Sequence, residues 1–317
     1  MNTASATRIF SSHWLTAFAI TAGILFASHA TAAPRTLETA YGEVAVDGQP
    51  ERVVTLYEGA LDTALTAGIT PLGTIATRGG TGVAAYLQDK AKDVAIVGTS
   101  RELNLEAVVA QQPDLILASP QLSKEQYELL SGLAPVIVPP MAGWKTDNWK
   151  QEARLFAKAL DREASIEQAI EAVEGRTEQL AESMHSRYAE NDRSAYLVRW
   201  MPQGALVMSS QLFTTGLLSA AGFEVEDGGL VNGERPHSDL LSLENLSRVD
   251  GDWMFLATLN EEGRATLDAA RKSSAFSRLD VVQRDRVIPV DGQLWTSASG
   301  PLAAQAVLDG IESVIQQ

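Results

Sequence analysis

The sequence predicts an α/β protein with two similar lobes that are joined by one long helix and hold a ligand cleft between them. Short apolar runs alternate with helical patterns from residue 50 onward, an order that favours βα units and mostly parallel sheets. A long helical pattern then interrupts this alternation, and a second block of short apolar runs follows it. Motifs of the first block recur in the second in the same order.

In the first block, short apolar runs mark the strands, and helical patterns over Asp62–Ala67 and Leu105–Gln111 lie between them. Pro139-Pro140 closes the block, because proline cannot continue a strand in the middle of a sheet. The predicted strands are Val53–Leu56, Leu72–Ala76, Val94–Gly98, Leu115–Ser119 and Val136–Val138.

The middle of the chain is helical. One apolar stripe has helical spacing from Trp149 through Ala153 and Phe156 to Leu160, and a second pattern runs from Glu163 to Tyr188. At 1.5 Å per residue the second pattern is a rod of roughly 40 Å, about the diameter of a small domain. The strands predicted for the second block are Tyr196–Trp200, Leu206–Met208, Trp253–Leu259 and Val287–Val290.

An internal repeat supports two equivalent lobes. Asn104-Leu105-Glu106 opens a helical pattern that leads into a strand beginning at Asp114-Leu115, and Ser242-Leu243-Glu244 leads into Asp252-Trp253 with the same spacing. We therefore assign residues 33–162 to an N-terminal lobe, 163–190 to a connecting helix and 191–317 to a C-terminal lobe. Because ligands of open α/β sheets bind beyond the carboxyl ends of the strands, the two lobes would hold a ligand between them.

The first 32 residues have the pattern of a secretory signal peptide. Arg8 is the only charged side chain before Arg35, and the apolar stretch Trp14–Ala27 is too short for a bilayer core of about 30 Å. Ala30-Thr31-Ala32 is an A-x-A pattern, which predicts cleavage after Ala32; an uncleaved anchor is the alternative. Because the chain has no cysteine to carry a lipid, we expect a periplasmic protein without a lipid anchor.

Composition excludes several classes of function. The chain has 317 residues, with 25 basic and 40 acidic side chains and a formal charge of −15, which argues against nucleic acid and anionic membranes as partners. Zero cysteines exclude disulfides, thiolate zinc sites and cysteine nucleophiles. Phosphate-loop, dinucleotide-binding and nucleophile-elbow motifs are missing, and His185 and His237 alone remain after the signal peptide, so we predict no catalytic and no metal-ligating residue. A hydrolase with paired carboxylates stays open.

Several segments, in order and spacing, resemble the periplasmic binding proteins of iron–siderophore ABC importers, the class with a helical backbone. This resemblance implies two Rossmann-like lobes on one rigid helix, small lobe movement, no cofactor and no chemistry. It also implies that a monomer captures a ferric siderophore and delivers it to the permease dimer of an ABC importer in the inner membrane. The segments are Pro50–Leu56, Ala67–Gly73, Val97-Gly98, Asn104–Val109, Gln112–Leu117, Trp295 and Gly300–Ala304.

By the same resemblance, one glutamate on each lobe docks onto arginines of the permease. The motif places these residues at Glu106 and Glu244, the equivalent positions of the internal repeat. An exposed carboxylate can pair with arginine through two hydrogen bonds. The alternative role for each glutamate is to complement the positive end of its own helix, and the two roles are compatible.

Candidate ligand-binding residues follow the predicted strand ends. Arginine matches the carboxylate oxygens of citrate-, hydroxycarboxylate- or hydroxamate-type chelates, although each arginine could instead form an ion pair within the protein. The tryptophans could stack on a ligand or pack the lobes. Haem or cobalamin is the alternative ligand, with Tyr57 as an axial ligand to haem iron. The candidates are Tyr57, Arg78, Arg101, Trp144, Arg199, Trp200, Arg235 and Trp295, with Glu58 beside Tyr57.

Overall fold

A small antiparallel hairpin and a parallel sheet form the first lobe. The computed structural model describes Met1 and residues 34–141 and 143–317, so the predicted signal peptide lies outside the described residues, apart from Met1. The hairpin consists of β1 (Arg35–Thr39) and β2 (Gly42–Val46). The sheet strands are β3 (Val53–Leu56), β4 (Gly73–Ala76), β5 (Ala95–Thr99), β6 (Leu115–Ala118) and β7 (Val136–Ile137).

This first sheet has the strand order β5-β4-β3-β6-β7, and all neighbours are parallel. Every residue of β3, β4 and β6 is buried. Parallel strands covered on both faces carry unbroken apolar runs, which is why these strands could be read from the sequence. The helices of this lobe are α1 (Glu58–Thr66), α2 (Leu105–Ala110) and α3 (Lys124–Ser131), with a 3₁₀ turn at Ala85–Leu87.

Two consecutive helices lead to the second lobe. The first, α4 (Asn148–Leu160), buries Trp149, Ala153, Phe156 and Leu160, as the apolar stripe predicts. The second, α5, extends from Glu163 to Arg187 and buries one face along its whole length. Within the described residues no helix combines the length and apolar character that a membrane crossing requires.

The second lobe repeats the architecture with a mixed sheet. Its parallel strands have the order β10-β8-β11-β12, and β9 pairs antiparallel with β8. The strands are β8 (Ser194–Met201), β9 (Gly204–Val207), β10 (Glu224–Val225), β11 (Trp253–Thr258) and β12 (Val287–Asp291). The helices are α6 (Phe213–Ala220), α7 (Glu261–Ala270), α8 (Ser274–Ser277), α9 (Asp280–Gln283), α10 (Gly292–Ser297) and α11 (Pro301–Ile315).

The predicted α/β fold class is confirmed, and four local features differ from the sequence-based expectations. The hairpin β1–β2 and the short strand β10 were not predicted, and β9 is antiparallel within an otherwise parallel sheet. The segment after Ser242 forms a 3₁₀ helix over Leu243–Val249 rather than an α-helix. Asn104 caps α2 by accepting a hydrogen bond from the Ala107 N–H, whereas Ser242 makes no side-chain cap, which removes one stabilising contact from an α-helical start.

The C-terminal helix α11 connects elements of both lobes. It packs against α5, against α1 of the first lobe and against α6 of the second. At its N-terminus the buried carboxylate of Asp62 accepts hydrogen bonds from the N–H groups of Leu302 (2.9 Å) and Ala303 (2.8 Å). Two N–H groups that would otherwise lack a partner are thereby satisfied, and α1 is fixed to the start of α11.

Candidate functional site

A cavity of about 390 Å³ lies where the carboxyl ends of the first lobe's strands face the second lobe. This volume is in the usual range for sites of small ligands, and the position is the one expected for open α/β sheets. The first lobe contributes residues from the ends of β3, β4, β5 and β6, and the second lobe contributes residues near β8, β9 and α10. Charged and aromatic side chains in its lining are Tyr57, Glu58, Arg78, Arg101, Trp144, Lys145, Trp149, Glu152, Arg199, Phe213, His237 and Trp295.

Arg199 is a buried cation in the wall of this cavity. Its side chain is held on β8, it is only 4 % exposed, and its Nε atom has no hydrogen-bond partner among the described residues. Burial, together with repulsion from Arg78, lowers the pKa of Arg199 to about 10. Arg199 remains charged at neutral pH, and the guanidinium group of Arg78 lies close enough to repel it, so two basic side chains are neighbours in the cavity. Such an arrangement attracts a carboxylate or another anion.

Aromatic rings form another part of the wall. Trp295 lines the cavity and stacks on Phe255, with ring centroids 5.0 Å apart and planes at 17°. Trp149 also lines it and meets Phe213 edge to face at 5.8 Å. Because these rings are fixed by the core behind them, they present apolar surface without losing side-chain freedom when a ligand binds.

The acidic part of the wall contains two carboxyl groups in different environments. Glu58 accepts hydrogen bonds at 3.3 Å from the Thr77 hydroxyl and from the Arg78 N–H. Glu152, on α4, has an Oε2 atom that is buried and has no partner among the described residues. Burial raises the pKa of Glu152 to about 7, and hydrogen bonding from Tyr57 opposes this rise only in part.

Tyr57 lies between these two acids. Burial, followed by the negative charge of Glu152, raises the pKa of the Tyr57 phenol well above its ordinary value. The phenol is therefore protonated at neutral pH and acts as a hydrogen-bond donor. A phenolate ligand to iron needs the opposite shift of the pKa. Across the described part of the chain, no three His, Asp or Glu side chains come together as a metal site.

The structure brings six of the eight predicted ligand-binding residues to this one cavity. Those six are Tyr57, Arg78, Arg101, Trp144, Arg199 and Trp295, and Glu58 lies with them.

The structure places the other two predicted ligand-binding residues elsewhere. Trp200 is 4 % exposed and packs in a second core against Phe276, because adjacent residues of a strand point to opposite faces and Arg199 takes the cavity face. Arg235 is exposed and pairs with Asp239 at 2.8 Å outside the lining, so its charge is already used by its own loop.

The sequence-based prediction missed some lining residues, of which Lys145, Glu152 and His237 carry ionisable groups. Glu152 could have been noticed, because it follows Trp149 by three residues and thus lies on the buried face of α4. An acid on an apolar face indicates a special environment. Lys145 and His237 lie in irregular segments, where no periodic pattern indicates which way a side chain points.

The two predicted docking residues are exposed and occupy equivalent places. Glu106 is in the first turn of α2, and Glu244 is in the first turn of the 3₁₀ helix Leu243–Val249. Each follows an exposed leucine, Leu105 or Leu243, and both leucines are 37 % exposed. The repeat therefore presents the same pair, an apolar side chain and an acid, on the surface of each lobe.

Comparison with known proteins now adds to this geometry. The family model described as "Periplasmic binding protein" matches residues 53–294, which is most of the chain and includes the main sheet of each lobe and most of the residues that line the cavity. The chain belongs to this family of periplasmic binding proteins. Proteins of this family bind substrates.

Curated relatives are distant in sequence and similar in length. The achromobactin-binding periplasmic protein of Dickeya dadantii is 26 % identical over 276 residues, covering 84 % of this chain and 86 % of the relative. The Fe(3+) dicitrate-binding periplasmic protein of Escherichia coli is 23 % identical and covers 90 % of each chain. Two relatives from Bacillus subtilis are named as a probable siderophore-binding lipoprotein and an Fe(3+)-citrate-binding protein.

The fold is also shared with solved structures. Staphylococcus aureus SirA complexed with staphyloferrin B matches with a TM-score of 0.78 and 23 % identity, over 89 % of this chain and 98 % of SirA. At this identity the likeness establishes the fold, which is two lobes on a connecting helix.

Proposed function

We propose that this periplasmic binding protein captures an anionic ferric siderophore of the carboxylate or hydroxamate type and delivers it to the permease of an ABC importer. The observation that carries the proposal is the buried, unpartnered Arg199 next to Arg78 in the cleft. An uncompensated buried charge lowers the stability of the folded protein, and a ligand of opposite charge offsets that cost when it binds. The names of the relatives place ferric citrate and siderophores first among such ligands.

In this proposal the iron arrives already chelated and the protein contacts only the chelate. The protonated Tyr57 donates a hydrogen bond and does not ligate the metal. The chain needs no cofactor of its own for capture and release.

Delivery is proposed to use Glu106 and Glu244. Their support is the equivalent placement in the two lobes and the exposed leucine that precedes each glutamate. A carboxylate beside an apolar side chain suits a protein interface, where the charge pairs with arginine and the leucine is covered. A monomer can place one such pair on each half of a permease dimer.

We propose the division of the chain into an N-terminal lobe of residues 33–162, a connecting helix of residues 163–190 and a C-terminal lobe of residues 191–317.

Export follows from the sequence. A signal peptide removed after Ala32 would release the protein to the periplasm, and the absence of cysteine from the chain argues against a lipid anchor. The relatives include both periplasmic proteins and lipoproteins.

The decisive experiment is a titration of the protein from Ala33 onward with ferric citrate, ferric hydroxamates, ferric catecholates, haem and cobalamin. Trp144, Trp149 and Trp295 line the cavity, so quenching of tryptophan fluorescence reports binding. We expect one ferric chelate to saturate at submicromolar concentration, and we expect Arg78→Ala and Arg199→Ala to weaken it. Arg264→Ala, on the exposed surface of α7, is the control and should bind as the unmodified protein does.

Two outcomes would contradict the proposal. Saturation by haem or cobalamin alone would assign a different ligand to the cleft. Turnover of nitrophenyl glycosides or esters without chelate binding would favour a hydrolase, the alternative that Glu58 and Glu152 in one cavity make worth testing.

A further inference from the structure

The carboxylate of Glu152 is only partly hydrogen-bonded within the protein. Its Oε2 atom is buried without a hydrogen bond, although the side chain forms part of the cavity wall. Glu58, in the same wall, is different, because the Thr77 hydroxyl and the Arg78 N–H hold its carboxylate. Both of these hydrogen bonds reach Glu58 Oε1, and among the described residues only Glu152 has a carboxylate oxygen that is buried without a hydrogen-bond partner.

The charge on Glu152 is also uncompensated. Burial is the main cause of its raised pKa, and the one opposing influence is the neutral hydroxyl of Tyr57. Burial raises the pKa of Glu58 as well, but there the N–H group and the positive charge of Arg78 oppose the rise. Lys145 and His237 line the cavity, yet neither stabilises the charged form of Glu152.

Buried polar atoms that lack a hydrogen-bond partner are concentrated in the lining of this cavity. Among the described residues, half of the buried side-chain atoms without a partner belong to its lining, namely Glu152 Oε2, Arg199 Nε and Ser297 Oγ. They include an acceptor from an acid and a donor from a base. A ligand that satisfied them all would carry both anionic groups and a hydrogen-bond donor of positive charge.

We propose that Glu152 is a specificity-determining residue that selects ferric chelates carrying an amine arm in addition to their carboxylates. The inference rests on the proposed function and narrows its ligand class. The carboxylates face Arg199 and Arg78, and the ammonium group of the arm faces Glu152. A purely anionic chelate would place further negative charge beside the buried carboxyl group of Glu152. Its affinity would then be lowered, either because the Glu152 carboxylate repels the chelate or because Glu152 must take up a proton before the chelate binds.

A matched pair of probes tests this selection. Both are synthetic ferric chelates with the same citrate–hydroxamate core; one bears a free primary amine, and in the other the amine is N-acetylated. Tryptophan quenching at pH 8 gives Kd for each, with Glu152 ionised in the free protein. We expect the amine chelate to bind at least about tenfold more tightly, as a charged hydrogen bond in a buried site implies.

Two variants assign the preference to the residue. Glu152→Gln keeps the size of the side chain and should bind the two chelates with equal affinity. Glu171→Gln, an exposed acid on α5, should keep the tenfold preference. Because the comparison of the two chelates on the unmodified protein needs no variant, instability of Glu152→Gln would not prevent a decision.

The negative results are separable. If the unmodified protein binds both chelates equally well and Arg199→Ala weakens both, the siderophore function stands and the role of Glu152 is refuted. A preference that persists in Glu152→Gln refutes that role as well. If neither chelate, nor any other ferric chelate, binds, the proposed function fails and this inference fails with it.

Discussion

Arg199→Met should make the ligand-free protein more stable while removing its affinity for an anionic ligand. Burial and Arg78 lower the pKa of Arg199 from its ordinary value to about 10. Since each pKa unit corresponds to about 1.4 kcal/mol, keeping this guanidinium charged costs the folded protein about 3 kcal/mol. Methionine retains much of the length and apolar stem of arginine without the charge, so the substitution removes this cost with little change in packing.

The expected stability gain is at most about 3 kcal/mol, which corresponds to about 6 °C in Tm for a protein of this size. Binding should change in the opposite direction. Removing one partner of a buried charge pair costs at least about 2 kcal/mol, so Kd for the ferric chelate should rise by at least about thirtyfold. The substitution is therefore predicted to raise the stability of the ligand-free protein and to lower its affinity for the chelate.

Thermal unfolding with and without ligand measures both effects on the same sample. Arg264→Met is the control, because this arginine is exposed and pairs with Glu261 within the first turn of α7. Its Tm should stay within about 1 °C of the unmodified protein. A loss of ligand-free stability of 1 kcal/mol or more in Arg199→Met would refute the reasoning, since it would mean that the guanidinium makes stabilising contacts within the protein.

Three further predictions concern other parts of the molecule. Burial raises the pKa of Asp62 to about 7, so between about pH 4 and pH 7 the folded protein holds a proton that the unfolded chain has released, and the free energy of unfolding should fall over this range and level off above it. Burial raises the pKa of Glu152 to about 7 as well, so urea titrations of Asp62→Asn should show a shallower slope, and Asp62→Asn combined with Glu152→Gln a shallower one still. Gly300→Ala would put a Cβ atom 2.5 Å from Asp62 Oδ1 at a φ of +117°, so urea titrations should show that the free energy of unfolding falls by about 2 kcal/mol or more. The control Gly175→Ala adds its Cβ atom to open space and should leave the free energy of unfolding unchanged or raise it. Replacing Glu106 and Glu244 by alanine should abolish iron uptake by cells and leave the Kd for the chelate unchanged; a lowered affinity would place these glutamates in the ligand site and not at the permease.

The fold could be predicted because its signals are local. Parallel strands buried on both faces are apolar runs, and α4 and α5 have long periodic stripes, so their bounds agree with the structure to within a few residues. The hairpin β1–β2 has a different signal, an alternation of exposed and buried residues over only five residues in each strand, and a search for unbroken apolar runs does not detect it.

Which side chains face the cleft could be predicted only in part. The carboxyl ends of strands were correctly identified, but in β8 every residue from Ala195 to Trp200 is buried, so no alternation of polar and apolar residues shows which face is which. Arg199 and Trp200 were therefore equal candidates in the sequence. Only the pairing of β8 with β11 and β9 places the arginine toward the cavity and the tryptophan in the core.

The same geometry explains why selectivity can be present before the ligand arrives. The lobes are joined twice, once by α5 and once by α11, whose start is held by Asp62 of the first lobe while its side packs on α6 of the second. Because the walls of the cleft are held in this way, little conformational entropy of its side chains is lost when a ligand binds. The placement of fixed charges then determines which chelate binds. The arginines require anionic groups on the ligand, and Glu152 lowers the affinity for a ligand that has only anionic groups. Discrimination therefore depends on repulsion as much as on attraction, and removing the repulsive acid should broaden the range of chelates bound without weakening the arginine contacts.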